Sequence, residues 1–247
     1  MKTALTIAGS DPSSGAGAQA DLRAFAALGV YGVSAITSLT AQTRSSVKAT
    51  IHTPAAFVTR QISVLLTEFH IDAVKIGMTG TAANVAAIGR IIKSRRLPNI
   101  VLDPVMRSTG GYPLIDAAGE KALKKLLPLV TVVTPNLAEA SVFTGLKVRD
   151  VHEMELAASI IHGQGAPYVL IKGGHLKGAA VDILYDGAEY QYFEAPRLKR
   201  DKPELHGTGC ILSAAIAAGL ARGASIEKAV ADAKAYLGKV LESNRKR

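Results

Sequence analysis

The chain has 247 residues, 48% of them hydrophobic, only 5% aromatic and none tryptophan, which suits one or two domains with an aliphatic core. A formal net charge of +9 favours anionic partners, among them phosphorylated metabolites, nucleic acid and anionic membrane. The single cysteine, Cys210, excludes an internal disulfide framework and fits a reducing, cytoplasmic setting.

No apolar run reaches the roughly 18 residues of a membrane span, and the opening before Gly9 is too short for a secretory signal, so no membrane role is expected. The densest basic clusters are Lys93, Arg95 and Arg96, residues 197–202, and Arg245, Lys246 and Arg247. They read chiefly as solvated faces and a frayed end.

Short apolar runs alternate with longer helical ones. Strands are expected at residues 3–8, 33–40, 73–76, 99–102, 130–133 and 168–171. They are nearly continuous in Val, Ile, Leu and Ala, as strands covered on both faces are. Helices are expected at 17–28, 54–69, 82–94, 117–127, 137–143, 153–162, 209–222 and 225–243. This repetition implies βαβ units and a mostly parallel sheet between helical layers. Late in the chain, residues 181–185 and 190–194 flank an Asp186-Gly187 turn signal and read as an antiparallel hairpin. No linker, repeat or low-complexity segment divides the chain, so a single domain over 1–247 is expected.

Ligands of open α/β sheets bind beyond the carboxyl ends of the strands. The residues there are Gly9-Ser10-Asp11, Gln42, Gly77-Met78, Asp103, Asn136 with Glu139, and Lys172-Gly173-Gly174. Acids, amides, a lysine and glycine-rich backbone along one edge suit an anion and metal site. Gly15-Ala16-Gly17-Ala18-Gln19-Ala20 satisfies the dinucleotide pattern G-x-G-x-x-G/A, yet no acid follows the second strand to hold a ribose. Those glycines read instead as a loop that closes over substrate, or as a tight turn with close helix packing.

His206-Gly207-Thr208-Gly209-Cys210 leads into a helix of small residues. Glycines at a helix start leave backbone N–H groups open, and with the helix dipole they form an anion site. In a phosphoryl transfer such donors stabilise charge on the moving group. No Walker A sequence occurs. Cys210 reads two ways: a thiol of depressed pKa acting as base or hydrogen-bond donor, or a small buried hydrophobe. Asn136 and Glu139 stand three apart, which suits ordering water around Mg²⁺ or a capping box. Lys172 either reaches a phosphate or ends its strand in water. The histidines other than His206 show no metal-ligand spacing.

Seven blocks then carry a resemblance: residues 4–21, with Gly9-Ser10-Asp11-Pro12 and Gln19-Ala20-Asp21; Thr40-Ala41-Gln42; Lys75-Ile76-Gly77-Met78; Leu102-Asp103-Pro104-Val105-Met106; Thr134-Pro135-Asn136 with Glu139-Ala140; Lys172-Gly173-Gly174-His175; and His206-Gly207-Thr208-Gly209-Cys210. In this order, over nearly the whole chain, the sequence resembles the hydroxymethylpyrimidine/phosphomethylpyrimidine kinases of the ribokinase-like superfamily. The resemblance implies a three-layer α/β/α fold, ATP, Mg²⁺ and a homodimer. It implies phosphorylation of 4-amino-5-hydroxymethyl-2-methylpyrimidine and then of its monophosphate. Carried onto matching positions, Gly9, Asp21, Gln42, Met78 and Val105 line the pyrimidine pocket. Asp103 and Glu139 serve Mg²⁺ and the phosphates beside Asn136, and Lys172 reaches the nucleotide phosphates. Gly207, Thr208 and Gly209 form the anion hole, and Cys210 stands where many ribokinase-like enzymes carry an aspartate base.

The expected chemistry is in-line transfer of the γ-phosphoryl group, with Cys210 or a bound water managing the proton. The nearest alternative is a pyridoxal or pyridoxine kinase. A non-catalytic ligand sensor or nucleic-acid-binding protein is the alternative from another class, although no helix-turn-helix, zinc or aromatic-basic pattern supports nucleic-acid binding.

Overall fold

The computed structural model describes residues 1–174, 176, 180–195 and 207–245. His175, His206, the basic run 197–202, residues 203–205 and Lys246-Arg247 lie outside the described residues. The first half of the chain forms β1 (Thr3–Ser10), α1 (Gly17–Ala27), β2 (Tyr31–Gln42), β3 (Val47–His52), α2 (Ala55–Glu68), β4 (Ala73–Ile76), α3 (Ala82–Arg95) and β5 (Ile100–Leu102). Then come α4 (Ala117–Leu123), a 3-10 helix (Lys124–Leu129), β6 (Val132–Val133), α5 (Leu137–Thr144), α6 (Val151–Gly163) and β7 (Tyr168–Ile171). The hairpin β8 (Ala180–Tyr185) and β9 (Tyr190–Ala195) and the helices α7 (Thr208–Ala221) and α8 (Ile226–Arg245) complete it.

One nine-stranded sheet runs β3-β2-β1-β4-β5-β6-β7-β8-β9. The six strands from β2 to β7 are parallel, and antiparallel strands extend both edges. Strand periodicity sorts the apolar residues to two cores. Leu5, Ile7, Val74, Ile76, Ile100, Leu102 and Val169 face the core built with α2 to α6. Ala4, Ala73, Val101, Val132 and Leu170 face the core built with α1, α7 and α8. This is the expected α/β/α arrangement. On the second side the layers sit close because α7 is lined with alanine and glycine; a Cβ on Gly219 would lie 2.9 Å from that of Ala229 on α8.

Two elements differ from expectation. β2 runs on to Gln42 and pairs antiparallel with β3 in a hairpin the sequence pattern does not announce. Its turn, Thr43-Arg44-Ser45-Ser46, has no Gly, Pro, Asn or Asp, and β3 is largely exposed, so no apolar stripe marks it. The helix expected to reach residue 127 ends at Leu123 and tightens to 3-10 geometry, with Pro128 inside.

The charge buried deepest lies on the α1 side of the sheet. Lys75 of β4 and Asp21 of α1 are fully buried and 2.9 Å apart. Thr6 donates to the same Asp21 oxygen at 2.6 Å. Gly77 leaves room for the ammonium, since a Cβ there would lie 2.6 Å from Lys75 Nζ. Burial alone would discharge the lysine, but Asp21, Cys210 and Asp103 around it hold its pKa above the ordinary value. Asp21, expected to line the pyrimidine pocket, is fully buried in this structure; burial raises its pKa and Lys75 and Thr6 oppose the rise.

Lys75→Met strands the Asp21 carboxyl without a counter-charge and is expected to lower the unfolding free energy by about 3–5 kcal/mol, while the double variant Asp21→Asn/Lys75→Met loses clearly less. Urea denaturation of the three proteins measures this, and equal losses in the single and double variants would refute the pair's role.

Candidate active site

Four helices begin under a side-chain cap: Thr81 on α3, Asp116 on α4, Asn136 on α5 and Asp150 on α6. α1, α2 and α7 begin without one, and none of the three has an acid in its first turn. α1 and α7 start at the carboxyl edge of the sheet and against each other. Gly207, just before α7, has φ +87° and sits so close to the 11–17 loop that a Cβ would lie 2.0 Å from the Gly15 carbonyl oxygen. Gly17 has φ +62°, and a Cβ there would meet the Gly9 carbonyl at 2.5 Å. The close-packing reading of the glycine-rich loop is therefore the one the geometry favours. Two uncapped N-termini, with their dipoles and open N–H groups, converge on one spot.

Lys172 and Asp103 stand at that spot. Lys172 Nζ donates to Asp103 Oδ1 at 2.6 Å, and Ser213 of α7 donates to Asp103 Oδ2 at 3.2 Å. A Cβ on Gly209 would lie 3.2 Å from Lys172 Nζ, so the ammonium lies against the α7 start. Burial works against the Asp103 charge, but Lys172 and Lys75 hold its carboxyl below the ordinary range. The Lys172 pKa rises against its own burial because Asp103 and Glu139 face it.

Asn136 and Glu139 form a reciprocal capping box at α5, with both bonds at 2.9 Å. Glu139 also accepts from the Met106 backbone, and burial pushes its pKa up to about 7, against Lys172 and with Asp103. The capping reading thus holds in this structure. The carboxyl still lies within the electrostatic reach of Asp103 and Lys172.

Beside this polar end lies an apolar shelf of Met78, Val47 and Leu114, with Val105 packed against it. Met78 rests on Gly9, where a Cβ would lie 2.7 Å from its sulfur. Gln42 closes the shelf at the end of β2, and its side chain hydrogen-bonds to Asp11. That bond, with Ser13 and the backbone of Ala16, holds the Asp11 carboxyl below its ordinary pKa despite burial. The tip of the β2–β3 hairpin leans on the loop after β5, where a Cβ on Gly110 would lie 2.9 Å from the Ser45 carbonyl.

Of the expected site residues, the structure groups Cys210, Gly207, Thr208, Gly209, Lys172, Asp103, Asn136 and Glu139 at the polar end, and Gly9, Gln42, Met78 and Val105 at the shelf. Asp21 is fully buried, more deeply than Asp103 or Glu139. Lys75 and Ser213 were missed as contributors. A lone lysine inside the apolar run Ala73-Val74-Lys75-Ile76 was the available signal for the first; Ser213 has none in a helix of small residues.

Cys210 follows neither sequence reading fully. As a residue it keeps partial exposure, so it is not wholly enclosed in the core. Nor is its pKa depressed: desolvation, with Asp103 and Asp21, pushes the thiol up to about 11 and outweighs Lys75 and the Gly17 N–H that points at the sulfur.

A three-layer α/β/α sheet with an uncapped helix start, a lysine and an acid at its carboxyl edge defines a ribokinase-like small-molecule kinase. The profile of the phosphomethylpyrimidine kinase family matches residues 11–246. The hydroxymethylpyrimidine/phosphomethylpyrimidine kinase of Rhizobium meliloti is 47% identical, over 95% of this chain and 88% of that protein. The crystal structure of phosphomethylpyrimidine kinase from Clostridium difficile superposes with a TM-score of 0.87 at 38% identity, covering 98% of this chain and 100% of that one. The pyridoxal kinase of Staphylococcus aureus in complex with AMP-PCP and pyridoxal gives 0.87 at 36% identity, over 96% and 87% of the two chains. The chain belongs to the phosphomethylpyrimidine kinase family and is a phosphotransferase, so the non-catalytic sensor alternative falls away.

As the only cysteine, Cys210 can be titrated by alkylation in the intact protein. At pH 8 a thiol of pKa about 11 is about one-thousandth ionised, so iodoacetamide is expected to label it roughly 100-fold more slowly than free cysteine, with the rate rising about tenfold per pH unit to pH 10. A rate that levels off below pH 9 would contradict the raised pKa.

Proposed function

We propose that the protein transfers the γ-phosphoryl group of ATP to the hydroxymethyl oxygen of 4-amino-5-hydroxymethyl-2-methylpyrimidine, and then a second one to the monophosphate, in the cytoplasmic synthesis of thiamine. The observation that carries this reading is the adjacency of the apolar shelf to the two open helix starts. A flat ring on Met78 and Val105, read at its edge by Gln42, would direct its exocyclic oxygen at the anion hole of Gly207, Thr208 and Gly209. In the transfer, the acceptor oxygen forms a bond to the γ-phosphorus as the bond to the β–γ bridging oxygen breaks. The helix N–H groups and Lys172 neutralise charge on the equatorial oxygens.

Asp103 and Glu139 fit Mg²⁺ bound through water, because the metal takes few protein ligands and both carboxyls already accept hydrogen bonds within the protein. When bound, Mg²⁺ supplies charge neutralisation on the phosphates. The loose transition state asks little of a base early, which is compatible with a Cys210 that is a neutral thiol in the free protein. A neutral thiol accepts no proton, so Cys210 takes the acceptor proton only after giving up its own to solvent and becoming a thiolate; otherwise a bound water carries that proton away late in the transfer.

Pyridoxal kinase is the second reading, supported by the likeness to the Staphylococcus aureus enzyme. Phosphoryl transfer from Mg·ATP to hydroxymethylpyrimidine, its monophosphate and pyridoxal, with products resolved by mass, tests both. Pyrophosphate product is expected; pyridoxal phosphate alone would transfer the assignment to the second reading, and no product from any acceptor would overturn both. In the same assay Cys210→Ala is expected to bind the pyrimidine while losing about 10²-fold or more in turnover. Turnover like that of the unmodified protein would remove Cys210 from the chemistry.

The protein is further proposed to work as a homodimer. Leu39 and Ile51 pair across the β2–β3 hairpin and are 55% and 71% exposed at the open edge of the sheet, an apolar face suited to a second copy. Light scattering is expected to give a dimer mass that Ile51→Lys reduces; a monomer at every concentration would refute the proposal.

A further inference from the structure

At the far edge of the sheet, a second pair of charges is joined to the phosphate-facing lysine. Lys234, on α8, has its ammonium 2.9 Å from Asp182 Oδ2 on β8, and both side chains are about nine-tenths covered, at 10% and 11% exposure. The same ammonium donates to the carbonyls of Ala180, at 3.0 Å, and of Phe193. An ammonium has three N–H bonds. All three of Lys234's end on the protein, across the two strands of the β8–β9 hairpin, and none is left for a ligand. Lys234 is thus a clamp, unlike Lys172, whose head lies at the α7 start.

The other Asp182 oxygen reaches the site. Asp182 Oδ1 accepts from the backbone N–H of Gly173 at 2.9 Å. Gly173 lies so tightly on β8 that a Cβ would be 2.0 Å from the Val181 carbonyl oxygen. On the preceding residue, the Lys172 N–H donates to the Pro135 carbonyl at 2.9 Å. The amides of Lys172 and Gly173 are therefore each fixed, one to the end of β6 and one to Asp182. A lysine stem that starts from a fixed backbone delivers its head with less loss of entropy on meeting a phosphate.

We propose that Asp182 and Lys234 are positioning residues for the nucleotide: α8, through Lys234 and Asp182, holds the Lys172-Gly173 backbone in the geometry that presents Lys172 to the phosphates. This rests on the reading of that edge as the Mg·ATP site. Neither residue touches the reacting atoms. Their effect is expected on nucleotide binding and not on the pyrimidine shelf, which is built from the opposite half of the sheet.

The test is calorimetric binding of Mg·ADP and of hydroxymethylpyrimidine to the full chain and to Asp182→Ala, Asp182→Asn and Lys234→Met, with hydrogen exchange at the Gly173 amide read in parallel. Asp182→Ala removes the acceptor and is expected to weaken Mg·ADP about tenfold, whereas Asp182→Asn keeps a carbonyl for Gly173 and costs less than about threefold. Pyrimidine affinity stays unchanged in both, and exchange at Gly173 quickens in the alanine variant alone. Lys234→Met weakens Mg·ADP and not the pyrimidine. Equal nucleotide loss in the alanine and asparagine variants, parallel loss of both ligands, or unchanged Gly173 exchange would refute the positioning role and leave a staple for stability. Absence of Mg·ADP binding to the unmodified protein would instead overturn the reading of the site itself, and the proposal with it.

Discussion

The contact on which the site depends is backbone against backbone, where Gly207 lies on the carbonyl of Gly15. Any side chain at Gly207 would push the start of α7 away from the loop before α1. That contact brings together two helix starts that no side chain caps, while four other helices of the same fold are capped by Thr81, Asp116, Asn136 and Asp150. Unsatisfied N–H groups at a helix start carry a cost unless water or a ligand meets them. Leaving two of them open and adjacent concentrates positive potential without a basic side chain. The glycine positions create that concentration, because only they let the two backbones approach.

Around this point, charge is arranged so that each ion answers another. Asp103 lies between Lys172 on the solvent side and the field of Lys75 beneath. Lys75 in turn is held charged by Asp21, Cys210 and Asp103. The buried pair Lys75–Asp21 is a poor device for stability compared with apolar packing. Its effect here is to put a permanent positive charge under a cluster of acids that would otherwise bind protons. An Asp103 kept ionised can order the hydration of a cation, and a Lys172 kept protonated can meet a phosphate.

Much of this was legible in the sequence, and the reasons differ by residue. Most of the parallel strands announce themselves because both faces are buried, leaving runs nearly continuous in Val, Ile, Leu and Ala. The late hairpin carries an Asp-Gly turn. β3 carries neither signal, being exposed and joined by a turn of serines and a threonine. The residues at strand ends, Asp103, Asn136 and Lys172, follow from topology alone. Asp21 does not, because an acid in the first turns of a helix reads as exposed until the lysine that faces it, 54 positions later, is located. The Asp182–Lys234 pair was hidden for the same reason, an ordinary strand aspartate and an ordinary helical lysine standing far apart in the sequence. Pairings of that range belong to the packing of layers, and no local pattern encodes them.

The residue at position 210 shows how far that electrostatic arrangement reaches. The thiol already feels Asp103 and Asp21, both of which raise its pKa, and Lys75, which lowers it; Lys172 lies within electrostatic reach as well. A carboxylate in its place would be a third anion beside two ammonium groups, each already paired with an acid. Like charges in a desolvated site do not all ionise, so such an acid would either take up a proton or draw Lys75 away from Asp21. A thiol avoids the conflict: it is neutral when the site is empty and still offers a hydrogen to donate and a sulfur toward which the Gly17 N–H points. The arrival of a cation and a ring at the site changes the balance of charges around it, and a group whose ionisation is not fixed beforehand can follow that change. The neutral cysteine and the buried lysine–aspartate pair are thus two parts of one electrostatic solution, in which the fold holds permanent charges below the site and leaves the residue at the α7 start uncharged.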